Sequence, residues 1–478
     1  MTTLILLGGL GVAVVLAAVA IERGWRLPAL VFATLSLPGN VDNLMPQMLL
    51  DPHPIADTTA PVVSIVDLLI LWALALTLAE RHRSGRGSWH SPVLLGLAGL
   101  LLIVASVSAA TGLLSGVDLG AVARGIILFG RLAALLALTD LLADAVGDAS
   151  RIGLATAAGG IVLLANGAYT TFTQSTDRFT AATFGRNDFG VALILVALIC
   201  LGSMLALRRQ RREVHHTALF WAVTLVCGGL LFGATATGTR AALLALAIGL
   251  VVALLINRTW LNRSGLLVVA TFGLFIALMI GSASVLTSAG ARTTSVLTDP
   301  GASVGAFADP PDDTPSEIRS REDFWRLAMI MIRDHPLTGV GPYQWNWQRY
   351  ELDPQSPTVV ADTHDAYLQL GAEYGLPSLA LYLALIAVCL LTFLKDAVRR
   401  SPIASAWTAT ACVSVACAFF LADVTNSNLF NGRTGTFAWL IIGAGIAAGA
   451  AIDDEAVRAL GFRSWRRSGS RTQTGTNG

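Results

Sequence analysis

Apolar runs of about 20 residues recur along almost the whole chain, and each is long enough to cross a bilayer as a helix. That recurrence restricts the fold more than any motif does. Of the 478 residues, 54% are hydrophobic and only 13% charged, against about 25% charged in a soluble domain. A β-barrel is excluded, because barrel strands alternate in polarity and give no long apolar runs. The chain is therefore expected to be an all-α, polytopic transmembrane helix bundle. Spans are predicted near 3–21, 28–44, 61–79, 93–113, 121–147, 152–172, 189–207, 216–236, 241–256, 264–286, 365–394, 403–424 and 435–452. Pro38, Asn40, Asp42 and Pro46 interrupt the second, which is either a half-helix or a full span, so the count is 12 or 13. The chain divides into a bundle over 1–286, a polar loop over 287–364, three further spans over 365–452, and a basic tail over 453–478.

The basic residues orient these spans. Arg81, Arg83 and Arg86 share one loop, Arg208, Arg209, Arg211 and Arg212 another, and Arg258 and Arg263 a third. Lys395, Arg399 and Arg400 fill a fourth, and the tail adds Arg458, Arg463, Arg466, Arg467 and Arg471. If the spans alternate, all of these lie on one side, which the positive-inside rule makes cytoplasmic. The loop 287–364 then faces out, together with the junctions at 173–188, 237–240 and 425–434. Chemistry on that face cannot draw on cytoplasmic nucleotides, and no P-loop or dinucleotide fingerprint occurs in the chain.

Other classes recede on composition. A net charge of +1 gives no reason to expect a nucleic-acid partner. Cys200, Cys227, Cys389, Cys412 and Cys417 all fall in apolar spans, where they act as small buried hydrophobes and suggest no disulfide framework or metal set. Ala18-Val19-Ala20 resembles a cleavage site, but residues 1–21 lack a positive start, so an uncleaved first span is expected.

The outward junctions carry the candidate chemistry. Thr237-Gly238-Thr239-Arg240 separates two apolar spans just where a helix begins. Free N–H groups at that start, with the Arg240 fork, suit an anion such as phosphate; a snorkelling interfacial Arg is the bland alternative. Arg321 opens a helix predicted to run to about Asp334, with Ser316 or Ser320 as cap, and Phe324, Ala328, Met331 and Ile332 at helical spacing. A cation at a helix start works against the helix dipole unless an anion joins it. His335-Pro336-Leu337-Thr338-Gly339-Val340-Gly341-Pro342 reads as a fixed turn, with His335 capping the helix before it. Tyr343, Trp345, Trp347 and Tyr350 follow; such rings stack on sugars, and they also gather at membrane interfaces.

His364 is the sharpest position. Thr363 is expected to cap the next helix, which puts His364 in its first turn, where the positive helix end favours a neutral imidazole able to accept a proton. Arg131 and Asp140 fall inside one predicted span, and an intramembrane charge needs a cavity or a partner. Arg131 and Arg124 are candidates to line a lipid head-group path. Asn187 and Asp188 open another span, with capping as the simple reading, and Asp423, Asn426, Asn428 and Asn431 are expected to form a polar rim.

Three of these segments, in this order, resemble the O-antigen ligase and O-antigen polymerase family. Thr239-Arg240-Ala241-Ala242-Leu243-Leu244 is similar to its helix start. Arg321 to Trp325, with the Gly339-Val340-Gly341 turn, is similar to its loop, and His364-Asp365-Ala366-Tyr367-Leu368 to its closing segment. The resemblance covers about 230–390. It departs from the family pattern at Asp365, where Asn is usual, and at Ala241, where Gly is common. It implies a metal-independent, inverting glycosyltransferase of the bacterial cytoplasmic membrane, needing no cofactor. The donor would be a glycan on undecaprenyl pyrophosphate and the acceptor another lipid-linked repeat or envelope glycan. It also implies that Arg240 and Arg321 hold the pyrophosphate and that His364 activates the acceptor hydroxyl. Arg131, Arg124, Tyr343, Trp345 and Asn187 would complete substrate binding. A secondary transporter, or a non-catalytic lipid-glycan binding protein, is the rival; a transporter should show discontinuous helices and repeat symmetry.

Overall fold

The computed structural model describes residues 2–37, 63–84, 89–117, 119–142, 149–174, 186–209, 214–256, 273, 278, 321–353, 363–399, 408–430 and 433–447. These residues are overwhelmingly helical. The helices are α1 (Thr2–Glu22), α2 (Arg26–Ser36), α3 (Ile65–Ser84), α4 (Pro92–Leu114), α5 (Leu119–Leu141), α6 (Ala149–Gln174), α7 (Arg186–Arg209), α8 (Val214–Ala236) and α9 (Arg240–Ile256). The loop contributes α10 (Arg321–Asp334) and the short α11 (Trp345–Leu352). Then come α12 (Ala366–Arg399), a π-helical turn (Thr408–Val413) running into α13 (Ser414–Thr425), and α14 over 433–447.

Among the described residues, five stretches are long and apolar enough to cross a membrane: Pro92–Leu114, Leu119–Leu141, Arg151–Thr173, Ala218–Ala236 and Ala366–Phe393. Shorter apolar helices accompany them, α2 among them at 11 residues. α2 covers the first part of the second predicted span, whose remainder over 38–44 lies outside the described residues, as does the predicted span at 264–286 apart from Gly273 and Leu278.

α7 is the central post, buried from Phe189 through Met204. Small residues let its neighbours close on it: Gly160 of α6 faces Val196, Gly249 of α9 faces Leu198, and Gly202 meets Ala411. Around it α6, α8, α9 and α13 pack, while α1–α5 and α12 extend the bundle. Large apolar side chains such as Val15, Leu71, Ile103, Phe172 and Leu225 point outward, as they must where the solvent is lipid.

Polar contacts mark the two ends of the bundle. At one end Arg26 forks onto Glu80 and Thr77, Arg151 stacks on Trp25, and Arg81 meets His90 at 3.4 Å. Asp140 belongs here too. The span predicted to run to 147 stops at Leu141, so Asp140 sits in its last turn. It accepts the amides of His90 at 3.0 Å and Ser91 at 2.7 Å, capping α4. The starts of α3 and α5, the α8–α9 junction, and the loop helices gather at the opposite end. The described helices therefore alternate as the sequence requires, with Arg81 and Arg83 far from the loop.

Candidate functional site

The turn His335–Pro342 is seated in a break of α12. Gly375 has φ 80 and ψ 168 inside that helix, and Pro377 follows it. Pro377 has no N–H to give the Glu373 carbonyl. The amide of Gly341 donates to that carbonyl instead at 3.0 Å, and Val340 donates to Ala372 O at 2.9 Å. The Leu376 amide turns to Pro336 O at 2.8 Å. The groups freed by the break are thus satisfied by the loop, as an apolar surrounding demands. Gly339 (φ 66) lies against the Glu373 carbonyl and Gly375 against that of Leu337, so neither position has room for a Cβ. Ser108 of α4 donates to Thr338 O, and Gly112 and Gly125 let α4 and α5 close on Gly341 and Pro342.

The amphipathic face predicted for α10 is the buried one. Phe324, Ala328, Met331 and Ile332 form a satellite core with Trp345 and Ala372, which packs α10 onto α12. The side chain of His335 is exposed, beyond the helix end.

His364 stands at the start of α12, but not inside its first turn. Asp365 is the cap: its Oδ1 accepts the amides of Tyr367 and Leu368, both at 2.9 Å. Thr363 instead receives the Asp365 amide at 3.1 Å and donates back to the Asp365 carbonyl. His364 therefore precedes the cap, with φ 54, a left-handed backbone that a non-glycine residue seldom adopts. Tyr343 (φ 56) is the other such residue among those described. Strain of this kind concentrates at functional sites. The His364 ring is half-buried and lies 6.5 Å from the Phe324 ring in an edge geometry. Burial raises the Asp365 carboxyl above its usual range, against the pull of the two amides it caps.

The α8–α9 junction closes through its threonines. Thr237 donates to Ala234 O at 2.7 Å and lies 2.9 Å from the Thr239 hydroxyl. Gly190 near the start of α7 is the notch into which both fit. Asp188, beside it, accepts from Asn426 Nδ2 at 2.6 Å. Asn426 also donates to Asn428, and Asp423 accepts the Leu429 amide at 3.1 Å and the Tyr382 hydroxyl. These rim residues are buried and wired to one another; Asn431 lies outside the described residues. Tyr367 of α12 donates to Phe420 O of α13 at 2.7 Å. The chain starts of α7, α9 and α12 thus converge on one end of α13. Arg240 and Arg321 are helix-initiating residues at that end. Their side chains, and that of Asn187, lie outside the described residues.

α5 supplies two arginines to this end. Arg124 is buried, with its guanidinium 6.0 Å from the Tyr343 ring centre. Burial pushes the Tyr343 phenol up to about 12, and Glu373 adds to this while Arg131 and Arg124 oppose it. Tyr343 is therefore a neutral donor at physiological pH. Arg131, two turns further along, has a protein partner. It grips Asp67 of α3 with Nε at 2.5 Å and a terminal nitrogen at 2.8 Å, and reaches Thr436 at 3.4 Å. Asp67 also accepts the Ser64 amide and hydroxyl at 2.9 Å each, so it caps α3 as well. Trp345 is a core residue: 1% exposed, edge-on to Phe324 at 5.7 Å, with Arg349 over its ring at 5.0 Å. It shapes the loop from within and offers no open face to a sugar.

Arg349 is a residue that sequence reasoning passed over. It is fully buried, and its guanidinium lies 5.7 Å from Phe324. Its one signal in the sequence is a cation placed a single turn after Trp345. Among the described residues no three His, Cys, Asp or Glu side chains gather as a metal-binding group.

Residues 225–383 match the model of the O-antigen ligase family. This part of the chain is similar to the O-antigen ligase family. The match begins in α8 and ends within α12, so the matched segment holds Arg240, Arg321, His364 and the seated turn, while Arg124 and Arg131 belong to α5, outside it. It takes in about a third of the chain. No curated protein matches the chain.

Proposed function

We propose that the protein is an integral-membrane glycosyltransferase of the O-antigen ligase and polymerase type. It moves a glycan from an undecaprenyl-pyrophosphate carrier to a lipid-linked repeat or another envelope acceptor, on the extracytoplasmic face of a bacterial cytoplasmic membrane. The observation that carries this reading is convergence. Within the family-matched segment, Arg240 opens α9 and Arg321 opens α10, helices that pack on α13 and on α12, the helix that His364 precedes. The opposite end bears Arg81 and Arg83, as expected of a cytoplasmic face.

The chemistry follows from the residue types. The acceptor hydroxyl oxygen attacks the anomeric carbon while the bond from that carbon to the carrier's phosphate oxygen breaks, which inverts the centre. The proton passes to the His364 imidazole. The leaving pyrophosphate gains negative charge, which Arg240 and Arg321 neutralise, each at a helix start whose free amides add to the field. Arg124 and Tyr343 extend the site, a cation beside a neutral hydroxyl donor, and Asn187, next to Asp188 in the sequence, is assigned to substrate binding with them. Arg131, joined to Asp67, and Trp345, within the loop core, frame the site without touching the glycan.

The test is transfer from a purified lipid-pyrophosphate-linked repeat by the full-length protein in nanodiscs. His364→Ala is expected to abolish product while the protein stays folded, and full turnover by that variant would remove the base. Arg240→Lys is expected to be at least tenfold slower, on the order of one lost charge-assisted contact. In cells, a deletion that leaves long chains accumulated on the carrier indicates a ligase; one that leaves only single repeats indicates a polymerase.

A further inference from the structure

We infer that Arg349 is a positioning residue for His364 and that it acts through the ring of Phe324. This rests on the role proposed for His364. Phe324 is 2% exposed and touches three groups at once: the Trp345 ring at 5.7 Å, the Arg349 guanidinium at 5.7 Å and the His364 ring at 6.5 Å. Arg349 also covers Trp345 at 5.0 Å. The cation thus clamps two aromatic rings, and the edge of one of them borders the imidazole.

Burial sets the Arg349 charge against two aromatic rings. The side chain is wholly buried, and removing a guanidinium from water is costly; burial lowers its pKa to about 10, with Asp353 opposing the shift. What a cation adds is direction, because it holds the ring faces toward itself. At His364 the Phe324 ring is one such support. The His364 backbone is left-handed and the residue precedes the helix cap, so the helix does not fix the imidazole.

The test compares Arg349→Met, Arg349→Lys and Phe324→Leu in the full-length protein. Two readouts are needed. One is the rate at which diethyl pyrocarbonate modifies His364, mapped by mass spectrometry, with exposed His335 as internal control. The other is the split between kcat and KM in glycan transfer. Arg349→Met and Phe324→Leu are expected to raise the modification rate at His364 several-fold, leave His335 unchanged, and lower kcat by about tenfold to a hundredfold at constant donor KM. Arg349→Lys keeps the cation and should recover most of both effects. The double variant should be no worse than Phe324→Leu alone, since the two act in one chain.

An unchanged His364 rate in folded Arg349→Met overturns the proposal, as does an additive double variant. If Arg349→Met fails to fold, a wild-type His364 rate in Phe324→Leu overturns it equally. The modification rate does not depend on turnover. Full activity of His364→Ala would remove the catalytic role of His364 and leave the positioning result standing.

Discussion

His364 and Asp365 show how one residue's placement alters an argument. The run Thr363-His364-Asp365 holds two side chains able to cap a helix, and spacing alone does not choose between them. The left-handed turn at His364 decides it, because it aims Asp365 at the amides of Tyr367 and Leu368. An Asn carbonyl would accept the same bonds, which is why an Asp fits where the family usually has Asn. Asp365→Ala is expected to cost about 0.5–2 kcal/mol, as lost caps do, while Asp365→Asn keeps the cap. The two carboxamide and carboxylate forms separate with pH. Burial raises the folded pKa of Asp365 above its ordinary value of 3.8, so the folded state holds the proton more tightly than the unfolded one. The stabilisation from this group is present below the ordinary pKa and is lost as pH rises through the raised one. Thermal unfolding of wild type should therefore weaken relative to Asp365→Asn across that window and run parallel to it above. A constant difference at every pH would contradict the assignment. Arg131 illustrates what the sequence could not supply. That it needs a partner was legible from its position in an apolar span; that the partner is Asp67, 64 residues away, was not, because only the packing of α3 on α5 brings them together.

At the scale of elements, the seated turn and the broken helix are one structure written in two places. The sequence signals each half: glycines and prolines over 335–342, and Gly375 with Pro377 inside an otherwise apolar span. Their pairing is invisible until the carbonyls of Ala372 and Glu373, released where the helix breaks at Gly375–Pro377, meet the amides of Val340 and Gly341. Those bonds keep the turn in the bundle, since withdrawing it would strand peptide groups in an apolar setting. Gly375 is the most exacting position. Its φ of 80 and ψ of 168 lie in a region open essentially to glycine, at a cost of about 1–3 kcal/mol for other residues. A Cβ would also strike the Leu337 carbonyl. Gly375→Ala should lower the unfolding temperature in detergent and abolish transfer, because the turn cannot dock and Trp345 and Phe324 lose their base on α12. A variant of wild-type stability and activity would show that the turn does not depend on this break. The apolar face of α10, by contrast, was readable directly, since helical spacing alone selects Phe324, Ala328, Met331 and Ile332.

The whole molecule is an arrangement of two ends. The all-α, polytopic class was legible because bilayer thickness and hydropathy fix it locally, and alternation follows from chain connectivity. The site was legible only as a set of junctions, since what assembles it is packing around α13 between segments far apart in sequence. The charge asymmetry of the ends makes a further prediction. His335, in the loop, and Ser84, beside Arg81 and Arg83, are both exposed. The native cysteines compete little for reagents, as Cys200, Cys227, Cys389 and Cys412 are buried and Cys417 is half-buried. On intact cells a membrane-impermeant maleimide should label His335→Cys and leave Ser84→Cys unmodified until the membrane is permeabilised. A pyrophosphate-linked donor must reach the site already assembled and flipped outward, so the loop has to be accessible from that side. Labelling in the reverse order would put the loop among the cytoplasmic nucleotides, and the case for a carrier-linked donor would then fail at its first step.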